Sequence, residues 1–127
     1  MLPKELRYTK DHEWVRLEGD RARVGITDHA QRQLGDIVFV ELPAVGRKVR
    51  PGELIATVES VKAVGEVYAP LTGEVVEVNS SLAGSPDALN KDPYGAGWLF
   101  VLRVADPREV DALLDVAGYE ALVKGSG

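Results

Sequence analysis

One lysine forms the centre of a candidate chemical site. Lys62 lies between two apolar, β-branched runs, 54–58 and 64–68, and such a pair of runs predicts a β-hairpin. Tight hairpin turns favour glycine, asparagine or aspartate, because these residues tolerate positive φ. The turn residues 60–63 include none of them. A flexible primary amine at a hairpin tip is accessible to an acylating enzyme, whereas the alternative is an ordinary solvated lysine.

No other combination of residues suggests a catalytic or metal site. The chain has no cysteine and two histidines, His12 and His29. Two histidines alone do not supply a usual zinc ligand set. No serine or cysteine nucleophile pairs with His12 in a recognisable pattern, and we interpret His29 as a solvated helix residue. The sequence therefore predicts a protein that is not an enzyme and holds no metal.

Length and charge narrow the class of protein further. A chain of 127 residues fits one domain and can bury a core without disulfides. Its net charge is −5 and it has no basic cluster, which argues against nucleic-acid binding. No apolar run approaches the ~18 residues of a membrane helix, and residues 1–7 lack the apolar region of a signal peptide. We therefore expect a cytoplasmic monomer with no nucleic-acid or membrane partner.

Short strands are the elements that must position the lysine hairpin. Alternating or continuous apolar runs bounded by turn residues predict extended segments throughout the chain. Besides the hairpin itself, these segments are 6–10, 13–18, 21–26, 36–42, 74–79 and 98–104, with a short strand at most in 45–53. Many short strands separated by turn signals predict a β-sandwich or flattened barrel.

A short helix is predicted before the hairpin, and a long polar loop follows it. Thr27 or Asp28 can cap the helix, which would extend from about residue 29 to residue 34, and Gly35 would end it. Residues 80–97 are rich in Ser, Gly, Pro, Asp and Asn, and a loop of this length is usually functional or mobile.

The C-terminal part of the chain predicts two helices. Asp106 is a cap, Pro107 occupies the first position, and Glu109 completes a capping-box pattern. Apolar residues then recur at helical spacing on one face; they are Val110, Leu113, Leu114 and Ala117. Gly118 is expected to end this helix, and a second short helix is expected over 119–124.

The segment around Lys62 resembles the lipoyl-lysine motif of the glycine cleavage system H-protein family. The motif is Val58-Glu59-Ser60-Val61-Lys62-Ala63. Further matching segments occur in the family's order and spacing: His12-Glu13-Trp14-Val15, Gly25-Ile26-Thr27, the run from Gly35 to Pro43, Pro70-Leu71-Thr72-Gly73-Glu74-Val75, Pro93-Tyr94 and Gly97-Trp98-Leu99. Each motif is modest alone, but together they cover about residues 6–122.

The resemblance implies a mainly β, barrel-sandwich hybrid fold. It implies one lipoyl-carrier domain over 1–127, with a core at about 6–104, the short helix in the N-terminal third, and C-terminal helices at about 107–124. It also implies a lipoate cofactor joined by an amide bond to Lys62. A lipoate ligase or a lipoyl/octanoyl transferase would make that bond.

The resemblance also implies a carrier function in glycine catabolism. Members of the family have no catalytic centre of their own. They shuttle the aminomethyl group of glycine from a pyridoxal-phosphate glycine decarboxylase to a tetrahydrofolate-dependent aminomethyltransferase. A dihydrolipoyl dehydrogenase then reoxidises the carrier. These enzymes are the expected partners of this chain.

Roles for the residues around the lysine follow from the same resemblance. Part of what the attaching enzyme recognises would be Glu59, Ser60, Val61 and Ala63. The cleft for the folded-back arm would include Asp11, Glu13 and Glu66. A carboxylate there favours a cationic cargo, so Glu13 or Glu66 would hold it. The alternatives are ordinary surface carboxylates at Glu13 and Glu66 and a solvated strand-end carboxylate at Glu59.

Other interpretations keep the hairpin and change its cargo. A biotin carrier usually places its lysine between methionines, whereas Val61 and Ala63 flank Lys62. A lipoyl domain of a 2-oxoacid dehydrogenase usually has aspartate before the lysine. The nearest alternative is an H-like protein that relays lipoyl groups to other proteins in lipoate metabolism.

Overall fold

Two antiparallel sheets form the frame of the protein in the computed structural model, which describes residues 5–125. The strands are β1 Arg7–Tyr8, β2 Glu13–Glu18, β3 Arg21–Ile26, β4 Ile37–Glu41, β5 Lys48–Val49, β6 Leu54–Ser60, β7 Val64–Tyr68, β8 Gly73–Val78 and β9 Phe100–Val104. The α-helices are α1 Asp28–Leu34, α2 Ala88–Lys91 and α3 Val116–Gly125, and 3-10 helices occupy Ser80–Ala83 and Pro107–Ala112. The prediction of a mainly β fold with a short early helix is confirmed.

The lysine hairpin lies in the smaller of the two sheets. The larger sheet has the order β1-β2-β3-β9-β8-β5, and the smaller has the order β4-β6-β7. Among the described residues the strands form these two separate sheets rather than one closed barrel. No helix within residues 5–125 is long and apolar enough to cross a bilayer. The prediction that residues 1–7 are not a signal peptide concerns a segment that lies partly outside the described residues.

Apolar side chains from both sheets share one core. The inward positions of β3, β6 and β9 supply Val24, Val58 and Phe100, which have no exposed surface. Each fully buried side chain of this kind contributes roughly 1.5–3 kcal/mol of transfer free energy. The core thereby fixes β6 of the lysine hairpin to the rest of the molecule.

A second apolar cluster joins the two ends of the described chain. Tyr8 of β1 stacks on Tyr119 of α3 with ring centroids 4.7 Å apart, and Leu6 and Trp14 complete the cluster. Backbone bonds in both directions link Tyr8 and Leu114 at 2.8 Å. The C-terminal helix is therefore packed beside β2, whose first residue is Glu13.

The early helix begins and ends as its sequence predicts. Thr27, rather than Asp28, is the cap, because its side chain accepts a hydrogen bond from the amide of Ala30 at 3.3 Å. Gly35 ends the helix with φ of 82°, a left-handed conformation that glycine adopts without steric cost. The helix thus stops at the start of β4, beside the lysine hairpin.

The predicted long loop contains two short helices, a 3-10 helix at Ser80–Ala83 and α2 at Ala88–Lys91. Leu82 and Leu89 anchor them in the core. Asn90 then accepts a bond from the amide of Ile37 and donates one to the carbonyl of Gly35, both at 2.9 Å. This loop therefore supports the junction of α1 and β4.

The prediction of one α-helix from Pro107 to Ala117 is wrong. Residues 107–112 form a 3-10 helix, Leu113 is extended, and α3 then runs through Gly118 instead of ending there. The Leu113–Leu114 break allows the chain to pair with β1. Helical spacing of apolar residues does not reveal this pairing, since the apolar side chains are buried in either arrangement.

The capping box at the start of this segment forms only in part. Asp106 caps as predicted and accepts a bond from the amide of Arg108 at 3.0 Å. The carboxylate of Glu109 instead accepts bonds from the amide and hydroxyl of Thr72, at 2.8 and 2.9 Å. Glu109 thus joins the C-terminal segment to the turn before β8, and this tertiary contact replaces the local one.

Candidate functional site

The tip of the lysine hairpin is a turn held by a serine side chain. The amide of Ser60 donates to the carbonyl of Ala63 at 2.8 Å. The hydroxyl oxygen of Ser60 accepts from the amides of Lys62 and Ala63, at 3.3 and 3.0 Å. A serine oxygen can replace a backbone group in a turn. This explains the absence of glycine, because no residue from 60 to 63 has positive φ.

The base of the lysine side chain is fixed, although its amine is exposed. The amide of Val61 donates to the carbonyl of Asp36 at 3.0 Å, which joins the tip to the α1–β4 junction. A Cβ placed on Gly35 would lie 3.5 Å from Cε of Lys62, so the aliphatic stem passes over this glycine. Within the described residues Lys62 forms no ion pair. The amine is therefore both positioned and accessible.

A cavity of about 190 Å³ lies between α1, β7 and the segment that leads into β2. Its lining includes all three predicted cleft residues, Asp11, Glu13 and Glu66. Leu34 of α1 and Gly65 of β7 also line it, and a Cβ on Gly65 would lie 3.1 Å from Leu34. Leu34 precedes Gly35, over which the stem of Lys62 passes, so one wall of the cavity adjoins that contact, although Lys62 itself does not line the cavity.

Glu13 is a buried carboxyl group. It is only 2% exposed, and it accepts bonds from the Thr9 hydroxyl at 2.7 Å and the Tyr68 amide at 3.1 Å. Burial raises the pKa of Glu13 to about 7 despite these two bonds, and the nearby charge of Asp11 acts in the same direction. The interpretation of Glu13 as an ordinary surface carboxylate is therefore wrong.

The other two acidic residues of the cleft are exposed. Glu66 accepts a bond from the Tyr68 hydroxyl at 3.0 Å at the surface. Asp11 lies beside His12 and Glu13, and its amide donates to the Thr9 hydroxyl at 3.2 Å. The cleft therefore combines one buried carboxyl group with two carboxylates at its rim.

Comparisons with known proteins all indicate the same family. Residues 6–126 match the family described as Glycine cleavage H-protein. The glycine cleavage system H protein of Phenylobacterium zucineum is 58% identical over 121 residues, which cover 95% of this chain and 100% of that protein. The protein of the same name from Geobacillus kaustophilus is 55% identical over 121 residues, or 95% of each chain. The chain belongs to the glycine cleavage H-protein family. The family predicted from the lysine motif is thus confirmed.

A solved structure supports the same assignment for the fold. The crystal structure of a glycine cleavage system H protein from Mycobacterium marinum has a TM-score of 0.86 and 40% identity to this chain. The match covers 97% of this chain and 99% of that one. The two-sheet arrangement described above is therefore the fold of an H-family protein, as the sequence predicted.

The tip of this H-family chain presents its other motif residues to solvent. Glu59, Val61 and Ala63 are exposed around Lys62, while the Ser60 hydroxyl is engaged in the turn. An attaching enzyme can therefore contact the three exposed side chains directly. Their role in recognition stays a prediction, and Ser60 has a structural role that the motif alone did not reveal.

Sequence reasoning missed a polar network behind the cleft of this H-family protein. His12 is the one described non-glycine residue with positive φ, at 69°. Its Nδ1 lies 2.7 Å from the hydroxyl of Tyr119, which lies 2.7 Å from the hydroxyl of Thr27. Burial and the neighbouring His29 lower the pKa of His12. The network holds the residue next to Glu13 in a conformation that costs free energy by itself.

The prediction of a solvated His29 holds only in part, because the residue is half-buried. Its ring lies 4.5 Å from that of His12, measured between centroids, and its Nε2 is buried without a hydrogen-bond partner among the described residues. Within residues 5–125, no group of three or more acidic or histidine side chains is arranged to hold a metal. No local spacing links His12 to Tyr119, which is 107 residues away.

Proposed function

We propose that Lys62 carries lipoate through an amide bond and that the chain is the lipoyl carrier of the glycine cleavage system. The observation that supports this most directly is an exposed amine at a fixed hairpin tip, with no ion-pair partner among residues 5–125. The four-carbon stem of lysine adds reach and flexibility to an attached group. The neighbouring cavity has apolar walls from Leu34 and Val58 and therefore suits an aliphatic arm.

The carrier serves three enzymes in this proposal. They are a pyridoxal-phosphate glycine decarboxylase, a tetrahydrofolate-dependent aminomethyltransferase and a dihydrolipoyl dehydrogenase. When bound, lipoate supplies the disulfide whose sulfur accepts the aminomethyl group of glycine. The chain itself performs no catalytic step; its hairpin presents the attachment point, and its cleft shelters the cargo. A lipoate ligase or a lipoyl/octanoyl transferase acylates Lys62.

The cleft contributes by responding to positive charge. The aminomethyl group is cationic at neutral pH, and a cation near a carboxyl group favours its ionised form. Because the pKa of Glu13 is raised to about 7, the arrival of a cation displaces a proton from Glu13. The proton returns when the cation leaves. Burial beside Glu13 also keeps water away from the cargo.

The whole chain acts as one domain in this proposal. The stacking of Tyr8 on Tyr119 and the pairing of Tyr8 with Leu114 join its C-terminal helix to the larger sheet. The bonds from Thr72 to Glu109 make a second connection. A cytoplasmic location and a monomeric state stay predictions of the sequence.

Intact mass spectrometry after co-expression with a lipoate ligase and added lipoate tests the attachment. We expect one lipoyl group per chain, mapped to Lys62, and none on Lys62→Ala. The matched control is Lys48→Ala, which removes another exposed lysine from a strand and should be labelled fully. Labelling of Lys62→Ala, or no labelling of the wild type, contradicts the proposal. Reconstituted glycine decarboxylation then separates this function from the relay alternative, since a relay protein would be lipoylated without supporting turnover.

A further inference from the structure

The side chain of Thr9 forms three hydrogen bonds at once. Its hydroxyl donates to Oε1 of Glu13 at 2.7 Å. The same oxygen accepts from the amides of Asp11 and Glu13, at 3.2 and 3.1 Å. A hydroxyl has one proton to donate and two lone pairs, so these three bonds use its whole capacity. The hydroxyl is therefore not free to accept a proton from Glu13, and it holds Oε1 as an acceptor.

The backbone of the same segment keeps Thr9 in place. The amide of Thr9 donates to the carbonyl of Glu13 at 2.9 Å, and the carbonyl of Thr9 accepts from the amide of His12 at 3.2 Å. These bonds close residues 9–13 into a turn. The hydroxyl of Thr9 is thus fixed against the carboxyl group of Glu13 before any cargo arrives.

The two carboxyl oxygens of Glu13 have unequal hydrogen bonds. Oε1 accepts from the hydroxyl of Thr9 at 2.7 Å, whereas Oε2 accepts from the amide of Tyr68 at 3.1 Å. A carboxyl oxygen that carries a proton has less capacity to accept, so protonation weakens the bond that its own oxygen receives. The longer and weaker bond is the one to Oε2. The neutral form of Glu13 therefore carries its proton on Oε2.

Thr9 lies outside the cavity that would shelter the cargo. Glu13 lines both the cavity of about 190 Å³ described above and a second cavity of about 460 Å³. The two residues that bond its side chain, Thr9 and Tyr68, line the second cavity and not the first. Thr9 therefore acts on a cargo in the cleft through Glu13 and not by direct contact.

We propose that Thr9 is a positioning residue of the cleft, which keeps Oε1 of Glu13 as an acceptor and reserves Oε2 for the exchanged proton. This inference rests on the proposed function, because it concerns the proton that a cationic cargo displaces. When the ammonium group arrives, the O–H bond at Oε2 breaks and the proton passes to water. When the cargo leaves, water returns a proton to Oε2. Both states share the bond from Thr9, so the side chain of Glu13 stays in one orientation.

The bond from Thr9 opposes the other influences on Glu13. Burial raises the pKa of Glu13 and the charge of Asp11 adds to this effect, whereas the bond from Thr9 lowers the pKa because it favours the ionised form. Further titratable groups lie around Glu13 and are common to all the chains compared below; they are Tyr8, Lys10, His12, Glu66, Tyr68 and Tyr119. Removal of the Thr9 hydroxyl should therefore raise the pKa of Glu13 further.

The first test follows Glu13 by NMR in the chain without lipoate. In Thr9→Val we expect the pKa of Glu13, read from the resonance of its carboxyl carbon, to rise by about one pH unit. Thr9→Ser retains a hydroxyl and should restore the wild-type pKa. The matched control is Thr72→Val, which removes a threonine hydroxyl that donates to Glu109 at 2.9 Å. It should leave the pKa of Glu13 unchanged, and an unchanged pKa in Thr9→Val overturns the proposal.

Release of the aminomethyl group from the lipoylated chain separates positioning from structural support. Release should be slow where Glu13 is ionised and faster where it is neutral. For Thr9→Val the midpoint of the pH profile should therefore rise by about one pH unit, and Thr9→Ser should restore it. Equal acceleration at every pH, with an unchanged midpoint, would mean that Thr9 only supports the turn, and it overturns the proposal. A wild-type chain that accepts no lipoate contradicts the proposed function instead, and the NMR test still decides the role of Thr9.

A measurement on the wild type keeps the proposal falsifiable if Thr9→Val folds poorly. As the pH falls through about 7, protonation of Oε2 should weaken the bond from the Tyr68 amide, and the NMR signal of that amide proton should move upfield. The amides of Asp11 and Glu13 keep their bonds to Thr9 and should move less. The reverse pattern, with large shifts at Asp11 and Glu13 and none at Tyr68, places the proton on Oε1 and overturns the proposal.

Discussion

The lysine tip exposes its ionisable group to solvent, whereas the acidic cleft buries the carboxyl group of Glu13. At the tip, the amine of Lys62 is exposed and the backbone beneath it is fixed, through the hydroxyl of Ser60 and the bond from the amide of Val61 to the carbonyl of Asp36. In the cleft, the carboxyl group of Glu13 is buried and its two hydrogen bonds fix the side chain itself. The tip is thus accessible to other molecules, whereas burial in the cleft raises the pKa of Glu13 to about 7.

This difference in exposure determines how strongly the charges of the two regions interact with other charges. Exposed charges are screened by water and salt, so an acidic rim mainly steers partners. The buried Glu13 responds strongly to a nearby cation because its charged form is poorly solvated. Attachment should therefore depend on the tip, whereas retention and protection of the cargo should depend on the cleft. Three substitutions test this division.

The largest effect is expected for Glu13→Gln. Because the pKa of Glu13 is raised to about 7 in the folded chain, the native state binds more protons than the unfolded state between pH 4.5 and 7. Stability from this group therefore falls as pH rises through that window, by about 3 kcal/mol. Denaturant unfolding from pH 5 to 8 should show Glu13→Gln gaining stability relative to wild type as pH increases.

The same variant should release the aminomethyl cargo faster, on the order of tenfold, because a buried charged partner is lost. Glu66→Gln should have a smaller effect, since Glu66 is exposed. In the stability measurement, the lowered pKa of His12 makes the free energy of unfolding rise with pH, opposite to the effect of Glu13. Because wild type and variant both contain His12, this contribution cancels when their free energies of unfolding are compared. Equal release from wild type and both variants would show that these carboxyl groups do not hold the cargo.

A smaller loss is expected for Tyr119→Phe. The substitution removes a hydroxyl that bonds the ring nitrogen of His12 and the side chain of Thr27. It leaves the half-buried His12 nitrogen without this partner, while Thr27 keeps only the bond from the amide of Ala30. We expect the free energy of unfolding to fall by about 2 kcal/mol. Cargo release should also accelerate, because His12 would hold Glu13 less firmly, while acylation of Lys62 should be unaffected.

The control for this variant is Tyr68→Phe. The hydroxyl of Tyr68 donates to Glu66 at the surface, so its loss should change stability little. If Tyr119→Phe slows acylation of Lys62 as strongly as it accelerates cargo release, the tip and the cleft are not independent.

The tip was predictable from sequence because its signals are local. Two apolar runs, a lysine between them and the Gly35 stop occur within a few tens of residues, and each strand prediction rests on nearest neighbours. The same holds for the Thr27 cap and for the hairpins. By contrast, Asp11, Glu13 and Glu66 were predicted as cleft residues only from the resemblance to a family, and not from local pattern.

The cleft was less predictable because its properties come from distant contacts. Glu13 is held in its buried position by a bond from the Tyr68 amide, 55 residues away, and the ring of His12 is bonded to Tyr119 of α3. Likewise Glu109 bonds Thr72 rather than its own helix start. A change of pKa or of helix type caused by such contacts has no counterpart in the spacing of residues along the chain.

The smallest effect is expected at the turn itself, for Ser60→Ala. Loss of the side-chain oxygen frees the amides of Lys62 and Ala63, and because both are exposed the cost should be below about 1 kcal/mol. Hydrogen exchange should accelerate at these amides and not at the Tyr68 amide bonded to Glu13. Ser60→Thr keeps the oxygen and should exchange as the wild type does. Faster exchange at Tyr68 in the alanine variant would mean that the turn transmits motion along β7, and the fixed tip and the cleft would then form one cooperative unit.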